Sequence, residues 1–468
     1  MKRLLRFIQI WLVTAMCVAC VLASCRQQKR QLNLDEVHVE LPDTLRVGML
    51  NSPTTYFDYR GTPMGYDYDM MDKFANSEKV CFKVVVGGTV SEMIEWLDSG
   101  KIDILASPVP MTAEFRERAI LCGPKMVSSQ VLVQRKDNDV VKDVTSLIGR
   151  EIYVQNDSRY LYRMKNLNDE LGGGITIRTL DRDTVSDDDL MTMVWKGEIP
   201  MTVVDSDVAE AAVSYYPGLD ISLKVSLDQY TRWAVASEAK GLAKELDTWF
   251  ADDENDMSQI YSKYYRLSKN SFYDDDFKGM TDIGKMTFED GRISPYDEIF
   301  KHAAHQTGFD WRLIAAIAYV ESHFDVNVKS WAGALGIMQV MPRTARSMGY
   351  SPDEMMNPTK CVDVATKALV SIDKMFSKRV KDPTERLNFI LAAYNSGPGH
   401  ISDAIALANK YGLDPTKWRG NVEEGIIMKS KPVFYQDAVV KNGYFRGRET
   451  VNFVKKVQSV YSLFKQKV

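Results

Sequence analysis

The sequence predicts a multidomain chain, two α/β lobes followed by an all-α domain, on three observations. Strand-like and helix-like runs alternate from Thr44 onward, the alternation pauses and resumes after Asn138, and beyond Arg292 the apolar spacing is helical almost to the end. At 468 residues the chain has room for two or three domains, each with its own core. Hydrophobic residues make up 45% and charged residues 26%, the balance of a folded protein. With 59 Lys+Arg against 63 Asp+Glu and a formal charge of −4, there is no basic excess to grip phosphate backbones, so nucleic acid is not an expected partner.

Taken in order, Lys2, Arg3 and Arg6 precede an apolar stretch, Phe7 to Ala23, interrupted only by Gln9 and Thr14. Residues 1–24 read as a signal peptide. The stretch ends Leu22-Ala23-Ser24-Cys25, which resembles the bacterial lipobox; that resemblance implies cleavage before Cys25 and lipidation of its thiol. An uncleaved membrane anchor, which needs about 20 apolar residues, is the alternative. Either places the body outside the cytoplasm. Residues 25–43 are polar and suit a tether. After cleavage the remaining thiols are Cys81, Cys122 and Cys361, and Cys81–Cys122, within one expected domain, is the more plausible disulfide. The Cys and His spacings do not suggest zinc, so neither a metal nor a cofactor is expected.

Thr44–Leu50 alternates as a strand, Tyr68–Ala75 reads as a helix, Cys81–Val86 as a strand, Val90–Ser99 as a helix and Ile102–Ala106 as a short strand. The second lobe follows the same order, with strand Glu151–Val154, helix Arg159–Leu171 and strands Ile175–Thr179 and Thr202–Val204. The α/β domain is placed at 44–267 and a linker at 268–291, where Tyr273-Asp274-Asp275-Asp276 and scattered glycines break the periodicity. Residues 292–468 form the all-α domain, with a helix starting at Ser294-Pro295 and others at Trp311–Val320, Cys361–Phe376, Glu385–Ala393 and Thr450–Phe464.

One residue breaks the helical pattern. Ile314, Ile317 and Ala318 stand at i, i+3 and i+4 of one stripe, and the next position, i+7, is Glu321. A carboxyl held against apolar neighbours has a raised pKa, as a general acid needs near neutral pH. Position alone also allows a glutamate snorkelling from a helix end.

The neighbouring motifs decide between them. Glu321-Ser322, then Ser330 with Gly333-Ala334-Leu335-Gly336-Ile337-Met338-Gln339 and Met341-Pro342-Arg343-Thr344-Ala345, and later Ala392-Ala393-Tyr394-Asn395-Ser396-Gly397, follow in this order. They resemble the three motifs of the soluble lytic transglycosylases, glycoside hydrolase family 23, on the goose-lysozyme-like fold. The resemblance implies that Glu321 is the catalytic acid/base and that Ser330, Met338 and Gln339 line the sugar groove. It also implies that Tyr394 contacts the catalytic carboxylate, with Asn395 its neighbour in the substrate site. Gly333 and Gly336 would let backbone approach a bulky ligand, and the Gln339 amide would bond N-acetyl or hydroxyl groups. Glycosidases commonly use two carboxylates, but no second one stands out, and Asp325 is expected beyond the helix end as a turn residue. A single carboxyl suffices for the family's reaction, in which the muramic C6 hydroxyl closes a 1,6-anhydro ring without water. Cys361 and Ala365 depart from the family's usual Asn and Gly and read as packing changes.

The first domain carries Leu45-Arg46-Val47-Gly48, Gly65-Tyr66-Asp67-Tyr68-Asp69, Leu97 through Asp103 and Thr112 through Arg116. In this order they resemble the family 3 periplasmic solute-binding proteins, a two-lobed α/β fold. That likeness puts Arg116 where a ligand carboxylate is clamped, Asp205 where a ligand amine is paired, and makes Tyr56 a stacking candidate. A solvated helix turn for Arg116, a helix cap for Asp205 and plain packing for Tyr56 remain open. The domain order, with Tyr435 and Gly443 through Glu449 near the end, resembles the membrane-bound lytic murein transglycosylase F family. The expectation is therefore a lipid-anchored, envelope-located enzyme on peptidoglycan glycan strands, facing the periplasm from the outer membrane, with a domain for an amino acid or muropeptide. A muramidase on the same fold, or a non-catalytic peptidoglycan-binding lipoprotein, is the alternative.

Overall fold

The computed structural model describes residues 41–468 apart from 53, 137, 138, 157, 182–184, 214, 215, 217, 267–287, 289 and 290. The expected signal peptide, the Cys25 lipidation site and nearly all of the expected linker lie outside the described residues.

The first lobe runs β1 (Thr44–Leu50), β2 (Phe57–Tyr59), β3 (Thr62–Met64), α1 (Tyr66–Ser77), β4 (Cys81–Gly87), α2 (Val90–Asp98), β5 (Ile104–Pro110), α3 (Ala113–Arg118) and β6 (Ala119–Ser128). The second contains β7 (Gln130–Arg135), β8 (Glu151–Gln155), α4 (Arg159–Glu170), β9 (Thr176–Leu180), α5 (Asp187–Lys196), β10 (Met201–Asp205), α6 (Ser206–Val213) and β11 (Leu219–Asp220). The chain then returns to the first lobe as β12 (Gln229–Ala236), α7 (Lys240–Ala251) and α8 (Ser258–Tyr261). Each lobe is a five-stranded sheet, ordered β4-β1-β5-β12-β6 and β11-β7-β10-β8-β9. Strand β12 lies antiparallel between β5 and β6, so the backbone crosses between lobes twice, the double strap of a hinged two-lobe fold. In β1 the alternation delivers Leu45, Val47 and Met49 to the core, all fully buried.

The sheet order corrects one expectation. Cys81 opens β4 at one edge while Cys122 lies in β6 at the other, with three strands between them. At about 4.8 Å per strand that is roughly 19 Å, far beyond the roughly 6 Å between Cα atoms that a disulfide spans. Cys81, Cys122 and Cys361 are free thiols.

The C-terminal domain is built from α9 (Asp297–Thr307), α10 (Trp311–Ser322), α11 (Pro342–Ser347), α12 (Pro358–Phe376), α13 (Pro383–Ser396), α14 (Pro398–Lys410), α15 (Glu423–Met428), α16 (Pro432–Tyr435) and α17 (Gly447–Lys467). Its first helix begins at Asp297 rather than Ser294-Pro295, because the Asp297 carboxylate accepts from the amides of Ile293 (2.9 Å) and Ser294 (2.8 Å) and folds that segment into a turn. Helix α10 is central: residues 314–318 are fully buried, so the hydrophobic effect fixes its position on nearly every side. Cys361 and Ala365 are buried packing residues of α12. Among the described residues no helix is long and apolar enough to cross a membrane.

This domain touches both lobes. The start of α17 and the residue before it reach the second lobe through Arg446–Asp188 (3.1 Å) and Arg448–Asp189 (2.9 Å), and Gln436 Nε2 donates to the Gly88 carbonyl of the first lobe at 3.3 Å. The larger contact is made by the two-stranded hairpin β2–β3, which leaves the first lobe and enters the helical domain.

Candidate active site

Glu321 lies in the last turn of α10, on the stripe begun by Ile314, Ile317 and Ala318. The helix stops two residues later because His323 takes the left-handed conformation (φ 51°) and its amide closes on the Tyr319 carbonyl. Ser322 Oγ lies 3.1 Å from the Ala318 carbonyl and 2.8 Å from the Ile337 carbonyl, pinning the helix end to the following loop. Asp325 sits beyond, accepting from the Asn327 amide in a turn, as expected. The Glu321 side chain is 5% exposed. Burial raises its pKa, and the Arg60 guanidinium works in the opposite direction.

The loop after α10 is organised by its own hydrogen bonds. Ser330 Oγ accepts from the Ala334 amide at 2.9 Å. Gly333 and Gly336 both have positive φ; at Gly336 a Cβ would fall 2.0 Å from the Met355 carbonyl oxygen. The glycine at 336 thus serves packing against the protein's own backbone and not approach to a ligand. Gln339 has φ 48°, and its side-chain amide donates to the carbonyls of Gly336 (2.9 Å) and Val328 (3.1 Å). Those donors are therefore committed to the loop rather than to sugar.

Tyr394 Oη donates to the Met338 carbonyl at 2.7 Å, so its hydroxyl positions the loop rather than bonding Glu321. The Met338 side chain is fully buried and contributes its backbone here. Asn395 is buried and its Oδ1 accepts from Thr450 Oγ1 at 2.7 Å, which ties α13 to α17.

The residue that sequence inspection missed is Arg60. The hairpin turn puts Arg60 and Gly61 at φ 53° and 76°, the geometry of a two-residue turn that follows strand twist. Asp58 Oδ1 accepts from the Gly61 amide at 2.8 Å and stabilises it. Arg60 Nη2 donates to Glu321 Oε1 and Oε2 at 3.1 and 3.3 Å, and Nη1 to the Gln339 carbonyl at 3.3 Å. Among the described residues Arg60 is the sole hydrogen-bond partner of the Glu321 carboxylate. Burial disfavours the guanidinium charge, yet Glu321 and its neighbours raise the Arg60 pKa above the usual value, so it stays charged.

Three further contacts hold the hairpin. Arg343 Nη1 donates to the Gly61 carbonyl at 2.6 Å. His400 Nε2 donates to the Asp58 carbonyl at 3.1 Å, while its Nδ1 accepts from Lys429 Nζ at 2.7 Å; burial and the Lys429 charge keep this imidazole neutral. Tyr59 packs on Trp331 with ring centroids 5.4 Å apart. A cavity of about 190 Å³ remains beside the hairpin, lined in part by Arg60, Gln339, Tyr394 and Gly397. The Glu321 carboxyl thus faces the Arg60 guanidinium.

In the first domain the predicted residues are separate features. Arg116 is exposed on α3. Asp205 ends β10, nearly buried and ion-paired with Arg159 in the first turn of α4. Tyr56 packs against Tyr68, with ring centroids 5.6 Å apart and planes tilted by 49°, and on the first-lobe core.

Comparison with known proteins matches residues 45–267 to the bacterial extracellular solute-binding proteins, family 3, and residues 298–415 to the transglycosylase SLT domain. Substrate binding domain 2 of Lactococcus lactis GlnP, in its open conformation, aligns with 49% of this chain and 98% of its own, at 17% identity and TM-score 0.43. The membrane-bound lytic murein transglycosylase F of Shewanella pealeana is 30% identical over 454 residues, covering 96% of this chain and 91% of that one. That of Desulfosudis oleivorans is 30% identical over 421 residues, 89% of each chain. With a single buried carboxyl at the end of an apolar helix and relatives that run through both domains, the chain belongs to the membrane-bound lytic murein transglycosylase F family.

Proposed function

We propose that this lytic transglycosylase cuts the MurNAc-β-1,4-GlcNAc bond with Glu321 as its one acid/base. Glu321 gives its proton to the glycosidic oxygen as the C1–O bond breaks. The muramic C6 oxygen then bonds C1, its proton returns to the carboxylate, and a 1,6-anhydro-MurNAc end is left without water. The carrying observation is a buried carboxyl whose raised pKa suits a general acid and whose only hydrogen-bond partner among the described residues is Arg60. A carboxylate pair, which hydrolysis by retention or inversion uses, is not part of this arrangement.

The hairpin β2–β3 acts in this proposal as a plug that must withdraw before glycan enters. The two-lobed domain binds an amino acid or muropeptide near Asp205 and Arg159, with Arg116 available on the facing lobe. Because the helical domain contacts both lobes, their closure shifts the hairpin. The chain would be held to the outer membrane, facing the periplasm, by a lipid on Cys25, with 25–43 as tether and 268–291 as linker.

Mass spectrometry of purified peptidoglycan digested by the mature protein tests the chemistry. Anhydro-muropeptides from wild type and none from Glu321→Gln are expected. Hydrated reducing ends would replace this proposal with a muramidase.

A further inference from the structure

A second cavity, of about 540 Å³, adjoins the catalytic groove and differs from it in charge. Helix α12 lines the groove with one face, through Ala365, Ala368, Ile372 and Met375. Met375 also lines the second cavity, whose floor is Phe376 and Ile405 and whose rim carries Lys378, Arg379 and Lys441. From Ala365 to Met375 is ten residues, about 15 Å along the helix, and Met375 at the end of that span is a wall shared by the two cavities.

The three cations are exposed, and their side chains form no ion pair among the described residues. The single carboxylate on the wall, Asp403, is 2% exposed and already committed. It accepts from Lys429 Nζ at 2.5 Å, the Lys441 and Asn442 amides at 2.9 Å each and Asn442 Nδ2 at 3.0 Å. The rim is therefore net cationic above an apolar floor, and it can take carboxylates together with methyl groups.

We propose that this cavity is a subsite for the acidic stem peptide carried by muramic acid residues of a strand lying in the groove. The proposal rests on the peptidoglycan reading above. A peptide of alanyl, glutamyl and diamino-acid units offers several carboxylates to the Arg379 fork and the two lysines, and its methyl groups to Phe376 and Ile405. Continuity with the groove through Met375 favours this occupant over an anionic lipid surface.

The test compares full-length protein on peptide-bearing glycan strands and on the same strands stripped of peptide by an amidase. The readout is the ratio of initial cleavage rates. Wild type is expected to prefer peptide-bearing strands about ten-fold, with the preference shrinking as salt rises. In Lys378→Gln/Arg379→Gln/Lys441→Gln the ratio should fall toward one, and Arg379→Glu alone should lower it. Sedimentation of the Glu321→Gln protein with the two strand types should give the same ranking without turnover. A triple variant that cleaves with an unchanged ratio overturns the subsite alone. A triple variant with an unchanged ratio that has lost binding to phosphatidylglycerol vesicles reassigns the patch to lipid and also overturns it. Arg60→Ala protein that cleaves neither strand type sinks the peptidoglycan reading, and this one with it.

Discussion

Replacing Arg60 by alanine should turn the resting protein into an active one. The Arg60 and Glu321 side chains are 8% and 5% exposed, and the guanidinium meets both carboxylate oxygens. Hydrogen bonds to charged groups contribute about 1.5–3 kcal/mol net. Taking roughly 2–3 kcal/mol for this pair and 1.36 kcal/mol per factor of ten, the open population should rise about 30- to 150-fold while the closed form dominates. Alanine keeps the left-handed turn position at about the same backbone cost as arginine, so the change reports the side chain. Arg60→Lys retains the charge but loses the fork and should fall between the two. The assay is the initial release of soluble muropeptides from purified sacculi by the full chain, with Glu321→Gln in each background as the zero. Equal rates for wild type and Arg60→Ala, at matched folding by circular dichroism, would refute the plug.

Other expectations concern stability and thiols. Asp67 is 1% exposed, accepts from Trp233 Nε1 at 2.8 Å, and burial pushes its pKa up to about 7. The folded state then binds more protons than the unfolded one between about pH 4 and 7, so this group's stabilisation is lost as pH rises through that window, by as much as about 4 kcal/mol. Denaturant titrations at pH 4.5 and 8 should show that slope flattened in Asp67→Asn; an identical slope would contradict it. Asp403→Asn strands the fully buried Lys429 and should cost about 3–5 kcal/mol, most of it recovered by adding Lys429→Met, as read from melting curves. Of the described thiols, exposed Cys81 should react with maleimide in the native protein, and buried Cys122 and Cys361 only after unfolding; a Cys81–Cys122 cross-linked peptide would count against the sheet order.

Local chemistry made much of the fold legible. The alternation in β1 and the caps of the helical domain, such as Asp382 accepting from the Thr384 amide at 2.8 Å ahead of Pro383, are written within a few residues. Glu321 was legible because a carboxylate on an apolar stripe breaks a strict period. Strand β12 was not, since its place between β5 and β6 depends on a return from the other lobe and not on its own pattern. Arg60 was least visible of all. The pair it makes with Glu321 spans 261 positions, and its turn lacks the Asn-Gly or Asp-Gly dipeptide that marks most such hairpins. The motif residues were found, but that Ser330, Gln339, Tyr394 and Asn395 each bond another part of the protein through a side-chain polar atom is not visible in their spacing.

The hairpin and the groove belong to one chain, and under the proposed plug that changes the arithmetic of inhibition. A tethered segment competes at an effective concentration set by its attachment, on the order of millimolar for short connections, whatever the protein's dilution. A free peptide copying Phe57–Met64 would have to be supplied at about that level to match it. Glycan in a dense wall meets the same threshold, so even without a ligand the enzyme would discriminate by local substrate density, working where strands are crowded and idling where they are sparse.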